Sequence, residues 1–304
     1  MAAECSPLRT CEVALVSLYL RGGENHERVD RRKWMALSSS LRRREASIET
    51  MSRIARQEGF HHEALVLDSQ PIVNWAEKLV DAGKVLSALS PSYPERWLKS
   101  LSYSAPPVLW RTCTDAVRGD SHQSEVEEST ASLAVVGSRR ISSEVSQFAF
   151  ELGRCAVENG MRLFSGNAVG SDTRAMLGGR FAHGRVIGIL PHGIHRLDRV
   201  VEGVEYWSAC APDEEFSRAS AMERNGLIYA SSQFSVVIHA RLREGGTWHG
   251  AVDAHRRRLT RLIVRQDESE AGNRALIALG AIPLIHSIDL MAAFDSKGTQ
   301  PFLF

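Results

Sequence analysis

The chain is poor in lysine. Of its 37 basic residues only Lys33, Lys78, Lys84, Lys99 and Lys297 are lysine, and the rest are arginine. A GC-rich coding sequence would account for this bias. The functional reading is that arginine grips phosphate in a planar, bidentate way that lysine cannot. Cysteine is sparse too. Cys5, Cys11, Cys113, Cys155 and Cys210 are odd in number, scattered, and form no Cys-x-x-Cys pair. That excludes a disulfide framework and a zinc module, and it fits a reducing cytoplasm. Neither charge sign dominates: 37 basic residues face 36 acidic ones, for a net charge of +1. A bulk polycation is excluded, so any affinity for a polyanion must come from local clustering. No apolar run approaches the roughly 18 residues of a membrane-spanning helix. The apolar segment Val13–Leu20 is short, follows Glu4 and Glu12, and does not read as a signal peptide.

What is present is ordinary globular composition, 43% hydrophobic and 24% charged over 304 residues. Such a chain buries a sizeable core and has room for one large or two modest domains. Residues 1–104 read as a small helical domain and linker. Trp34, Met35, Leu37 and Leu41, then Ile48, Met51, Ile54 and Ala55, recur at helical spacing, and a further helix is predicted over 72–89. Arg42-Arg43-Arg44 reads as a solvated helix face or a DNA-contacting patch. Ser90-Pro-Ser-Tyr-Pro94 and Ala105-Pro-Pro107 punctuate the chain, with a short helix over 95–101 between them. Pro107–Trp110 reads as a short strand and 115–130 as a polar loop.

From Ser132 the texture becomes that of an α/β sheet. Apolar runs at 133–136, 161–164, 185–190, 234–239, 261–264 and 282–285 alternate with helical patterns. The prediction is a Rossmann-like, doubly wound, mostly parallel sheet over 105–290, with a tail over 291–304. Ser142 or Ser143 caps one helix, Asn159-Gly160 ends it, and Asp172 is placed to cap the next.

Three loops each follow a strand and precede a helix: Gly137-Ser-Arg-Arg140, Ser165-Gly-Asn-Ala-Val-Gly-Ser-Asp172 and Glu244-Gly-Gly-Thr247. Glycine lets backbone N–H groups approach an anion, and a helix start adds partial positive charge. One such loop is what any strand-to-helix turn requires; three at one sheet edge point to an anion site. Arg139 supplies a bidentate grip, and Ser138, Ser165 and Thr247 supply hydroxyls. No loop matches Gly-x-Gly-x-x-Gly or Gly-x-x-x-x-Gly-Lys-Ser/Thr, so neither a dinucleotide enzyme nor an ATPase is proposed.

The order of these elements resembles the DNA-processing protein A (DprA/Smf) family. Val136-Gly-Ser-Arg139 matches the family's first motif and Ser165–Asp172 its Ser-Gly-x-Ala-x-Gly-x-Asp motif in full. Arg224-Asn-Gly-Leu-Ile228 matches its Arg-Asn element, and Glu244-Gly-Gly-Thr247 its last glycine turn. The resemblance covers roughly 70–285. It implies a non-enzymatic, cytoplasmic protein that binds single-stranded DNA without a cofactor or metal. It also implies a dimer, a RecA recombinase partner, and a role in DNA uptake, recombination or repair. Carried over, Gly137, Ser138, Arg139, Ser165, Gly166, Asn167, Gly170 and Asp172 form the phosphate groove. Arg224, Asn225, Gly245, Gly246 and Thr247 join or support it.

Departures keep an alternative open. The last turn reads Gly-Gly-Thr followed by Trp248-His249 rather than Ser-Gly-Ser, and His239 stands where the family has an acidic residue. Gly-Gly-Thr is similar to the nucleotide phosphoribohydrolases of the same superfamily, but their glutamate after the turn is missing. The alternative is a nucleotide sensor or hydrolase, with Glu223 and Glu244 as candidate acid–base groups. No winged helix is expected, since few residues follow Ile288.

Smaller signals close the sequence. His183, His192, His195, His239, His249 and His255 show no zinc spacing and read as ordinary polar or packing residues. Trp248 packs inside or stacks on a base, and Arg256-Arg-Arg258 with Arg261 and Arg265 forms a positive stripe or a solvated helix end. The terminal Gln300-Pro-Phe-Leu-Phe304 packs back on its domain, or resembles the peptide that docks DNA-replication proteins on the sliding clamp through Gln300, Leu303 and Phe304.

Overall fold

The computed structural model describes residues 7–24, 31–43, 47–59, 70–112 and 131–295. The polar loop at 115–130 and the docking peptide Gln300, Leu303 and Phe304 lie outside the described residues. The chain divides into two compact units, Met1–Cys113 and Thr114–Phe304.

The first unit is built on helices α1 (Pro7–Glu24), α2 (Arg31–Arg43), α3 (Ile48–Gln57) and α4 (Gln70–Asp81). Its core joins Trp34, Leu37, Leu41, Met51 and Ile54, which recur at helical spacing in the sequence, with Leu15 of α1 and Leu89 of the turn after β1, which that spacing does not mark. The helix predicted over 72–89 stops eight residues early. Gly83 takes φ 63°, its N–H donates to Val80 O at 2.9 Å, and Lys84 N–H donates to Leu79 O at 2.9 Å. This glycine-terminated cap releases the chain into strand β1 (Val85–Ser87). After α5 (Glu95–Leu101) comes β2 (Val108–Arg111), which pairs antiparallel with β1, Leu86 opposite Leu109. The two compact units divide after residue 113, which leaves β2 in the first, whereas the sequence places the start of the sheet domain at 105. Arg42 donates to the Ala88 and Ser90 carbonyls, so it fastens the turn after β1 rather than forming a solvated face.

The second unit is an α/β sheet with seven parallel strands in the order β6-β5-β4-β3-β7-β8-β9. They are β3 (Ser132–Val136), β4 (Arg162–Ser165), β5 (Val186–Leu190), β6 (Val204–Ser208), β7 (Phe234–Val237), β8 (Arg261–Arg265) and β9 (Ile282–Leu284). The strands are buried along nearly their whole length, as parallel strands covered on both faces must be. Strand β6 is not among the apolar runs that the sequence marks. Helices α6 (Ser143–Glu158) and α7 (Ser171–Phe181) carry the chain outward from β3 to β5 and pack on each other. Helices α8 (Arg218–Ala230), α9 (Gly245–Arg256) and α10 (Ala271–Ala278) carry it the other way, α8 packing on α9. With right-handed crossovers the two sets cover opposite faces, so the sheet is doubly wound. Winding reverses between β3 and β7, where Ser138 N–H donates to His239 O at 3.0 Å. The unit's last described element, α11 (Leu290–Asp295), takes up the start of the expected tail.

Local signals worked as the sequence predicts at α6. Ser142 Oγ accepts from Val145 N–H at 3.2 Å, and Gly160 at φ 74° follows its end. The α6–α7 contact depends on two glycines. A Cβ at Gly178 would lie 1.9 Å from Phe150 O, and one at Gly153 would lie 1.9 Å from Ala175 O. Both obstacles are backbone, so the helices could only separate. Gly178→Ala is therefore expected to destabilise the protein by about 2–3 kcal/mol. In contrast, a Cβ at Gly226 on α8 meets nothing within 4 Å. Gly226→Ala should be neutral or stabilising by about 1 kcal/mol. Thermal unfolding of the two variants checks the contrast, and equal melting temperatures would contradict it.

Candidate functional site

In an open parallel sheet the loops at the carboxyl ends of the strands collect at one edge. Here the loops after β3, β4, β5 and β6, with α8, border an open cleft of about 250 Å³. Arg139, Gly166, Asn167, Val169 and Arg224 form one part of its lining, and Leu190, Pro191, His192 and Phe216 another.

The loop after β4 is shaped by its glycines and by Asp172. Asn167 takes φ 54° and Gly170 φ 101°. A Cβ at Gly170 would lie 2.4 Å from Arg139 O, so this glycine lets the loops after β3 and β4 touch. Gly170, not Asp172, caps α7. Asp172 is buried in the first turn and turns back on the loops. Its Oδ1 accepts from Gly137 N–H at 3.2 Å and its Oδ2 from Ala168 N–H at 3.4 Å. Arg224 Nη1 stands 3.9 Å from the same Oδ2. Gly166 makes room for this pair, since a Cβ there would lie 1.5 Å from Arg224 Nη1.

Arg224 reaches the cleft from α8 at only 7% exposure, and its Nε has no hydrogen-bond partner. Burial lowers its pKa, Asp172 opposes that, and nearby Arg139 adds to the lowering. Arg139 is exposed and makes no ion pair among the described residues. The N–H groups of Asn167 and Val169, both on lining residues, also have no acceptor among the described residues. No lining residue is a carboxylate. Two guanidiniums, the imidazole of His192 and the unpaired N–H groups of the turn are the polar groups presented to the cleft, an arrangement suited to an anion.

The predicted residues thus separate by role. Arg139, Gly166, Asn167 and Arg224 line the cleft. Gly137, Ser138, Ser165, Gly170 and Asp172 stand behind it. Ser165 is fully buried with its Oγ donating to Val135 O at 2.6 Å, and Ser138 Oγ donates to His239 O at 3.1 Å. Neither hydroxyl is offered to a ligand in this arrangement. Gly245, Gly246 and Thr247 open α9 outside the cleft, joined to α8 by Asn225 Nδ2 donating to Gly246 O at 3.3 Å.

Other expectations resolve as well. Trp248 is buried, so it packs rather than stacking on a base. Arg261 stacks over Phe234 and donates to Phe294 O, while Arg265 lies between Glu144 and Asp267 at 3.0 and 2.7 Å. Neither is free for a positive stripe. Among the described residues no three His, Cys, Asp or Glu side chains cluster as metal ligands. Leu190, Pro191, His192 and Phe216 were missed by sequence reasoning. The signal available was their place at or after the carboxyl end of a strand, where such sheets bind ligands.

A family model for DNA recombination-mediator protein A matches residues 84–295. The chain belongs to that family. Among solved structures, DNA processing protein A from Streptococcus pneumoniae matches with a TM-score of 0.59 at 18% identity, over 95% of this chain and 93% of that one. DNA processing protein A from Helicobacter pylori, described for its single-stranded DNA binding mode, matches with a TM-score of 0.51 at 22% identity. That match covers 62% of this chain and 87% of the Helicobacter chain. At these identities the likeness is one of fold. No curated protein matches the sequence. No described helix of this recombination-mediator family member is long and apolar enough to cross a membrane.

The charge on Asp172 is costly to bury. Burial pushes its carboxyl up to about 6 from 3.8, against the lowering pull of Arg224 and of the Ala168, Gly137 and Gly166 N–H groups. A raised folded-state value means that the contribution of Asp172 is full below 3.8 and is lost as pH rises through about 6. The stability gap between the protein and Asp172→Asn should therefore move in the variant's favour by on the order of 3 kcal/mol between about pH 4 and pH 7. Urea unfolding at both pH values measures it; a constant gap would contradict the assignment.

Proposed function

We propose that this protein is a single-stranded DNA-binding recombination mediator that captures backbone phosphates in the cleft bordered by the loops after β3, β4, β5 and β6. The observation that carries this reading is the meeting of Arg139 and Arg224 in a cleft lined by no carboxylate. Binding of this kind needs cations and N–H donors along a track, together with flat apolar surface for bases. Phe216 and Val169, exposed by 53% and 75% at the cleft, supply that surface. The DNA binding mode described for the Helicobacter relative and the shared family support the same ligand.

The role extends to DNA uptake, recombination or repair, with a second copy of this chain and a RecA-type recombinase as partners. A sliding clamp reached through Gln300, Leu303 and Phe304 would be a further partner. The resemblance and the terminal motif support these partners. A free nucleotide sensor or hydrolase is less well supported. No carboxylate for acid–base work lines the cleft. The candidate Glu244 lies outside it, paired with Arg241 at 3.2 Å.

Fluorescence anisotropy with an unstructured oligonucleotide across a salt series tests the reading. Affinity should fall steeply with salt. Arg139→Ala should bind about tenfold more weakly, with the contribution of roughly one phosphate removed from the salt slope. Phe216→Ala should also lose about tenfold while keeping the slope, because stacking releases no counterions. Absence of binding at low salt, with a thermal shift on adding mononucleotides, would sink the DNA reading in favour of the sensor.

A further inference from the structure

We infer that His192 is a third, titratable contact in the cleft, so that the protein captures a DNA phosphate together with a proton. This rests on the DNA-binding reading and deepens it. His192 follows Leu190 and Pro191 at the carboxyl end of β5 and lines the cleft with Arg139 and Arg224. Its Nδ1 lies 3.0 Å from Gly193 O. A carbonyl oxygen only accepts, so Nδ1 carries the proton and donates it. Nε2 is then the nitrogen left for a ligand. In the neutral ring it presents a lone pair and repels a phosphate oxygen. In the imidazolium it is a charge-assisted donor that completes a ring of cations around the anion.

The backbone of His192 is held independently of its protonation. Ser208 Oγ donates to His192 O at 2.6 Å, Ser220 Oγ to Pro191 O at 2.6 Å, and Gly193 N–H to Glu214 O at 2.8 Å. The imidazole therefore changes charge on a fixed frame.

Of the other charged groups on the surrounding segments, Arg140 on the loop after β3 and Asp198, Arg199 and Glu202 on the loop after β5 do not line the cleft. Arg139 and Arg224 are permanent cations on the loop after β3 and on α8. Asp172 on α7 is buried behind them. On the loops after β5 and β6, His195 pairs with Asp213 at 3.2 Å, Arg196 with Glu215 at 3.7 Å, and Glu214 Oε2 accepts from Ala211 N–H. None of these last five lines the cleft. Arg218 and Glu223, at other positions of α8, do not line it either. Burial pushes Asp172 up to about 6, so its protonation acts in the same direction as that of His192 and leaves a residual slope.

The ligand helps to separate the sources. An internal phosphodiester does not titrate in this range, so its pH dependence comes from the protein. A terminal phosphomonoester gains negative charge near pH 6 and opposes the trend. The experiment uses an oligonucleotide without terminal phosphates, the full chain, and anisotropy at fixed ionic strength between about pH 6 and pH 8. Affinity of the unmodified protein should fall about tenfold from the lower to the upper end of this pH range. His192→Gln, neutral throughout, should be weak at both ends and vary by less than about threefold. His192→Lys, charged throughout, should bind more tightly than His192→Gln at pH 8 and show the same small residual slope. A folding defect would weaken both variants alike and could not produce tight binding by the lysine variant. The inference is overturned if His192→Gln falls as steeply as the unmodified protein, or if His192→Lys is no tighter than His192→Gln at pH 8. Failure of the unmodified protein to bind at any pH would overturn the DNA reading as well.

Discussion

A single buried ion pair organises the functional edge of this protein. Asp172 and Arg224 face each other behind a backbone with no side chain at Gly166. Desolvating two charges is expensive, and their attraction alone does not reliably offset it. Here the carboxylate also accepts from N–H groups of the loops after β3 and β4. One side chain thereby ties together segments from two strands and a helix. Arg224 is pinned by its partner on one side and open to the cleft on the other. It is a cation already stripped of water, which makes it a stronger anion receptor than a mobile surface arginine.

The rest of the sheet holds this arrangement in place. Ser165 and Ser138 spend their hydroxyls on the backbone of neighbouring strands and loops. On the other side of the winding reversal, Asn273 of α10 is fully buried. It accepts from Ala240 N–H and donates to Ile238 O and Arg265 O, joining the ends of β7 and β8. Polar groups in such a sheet edge must be satisfied internally. Most of the serine and asparagine there serves that need, and the polar groups left facing the cleft are arginine, histidine and bare N–H groups.

Much of this was legible before any coordinates. The alternation of apolar runs and helical patterns marked the doubly wound sheet, and Ser142 and Gly160 marked the ends of α6. The Ser165–Asp172 segment identified the central loop because its glycines and aspartate are each required by a contact. Other features were hidden for physical reasons. Strand β6 reads as mixed because Glu205 interrupts it. In the fold that carboxylate is buried, accepting from Trp207 Nε1 at 2.6 Å beside Arg185. Gly83 falls inside the helical pattern over 72–89, and only its positive φ places a stop there. Phe216 and His192 belong to no motif; they reach the cleft through loops whose course depends on tertiary contacts. The hydroxyl of Ser165 looked available because sequence does not show which way a strand-end side chain points.

The size of the cleft bears on how the protein would hold a long strand. A recess of about 250 Å³ engages only a short stretch of a polymer. The free energy available from one such recess is bounded by a few charge-assisted bonds and a stacked base. Tenacious attachment then becomes a matter of valency. Copies brought onto one strand raise each other's effective concentration, and the whole array outlasts any single contact. On the DNA-binding reading proposed above, a strand held by many such weak grips would be released one grip at a time.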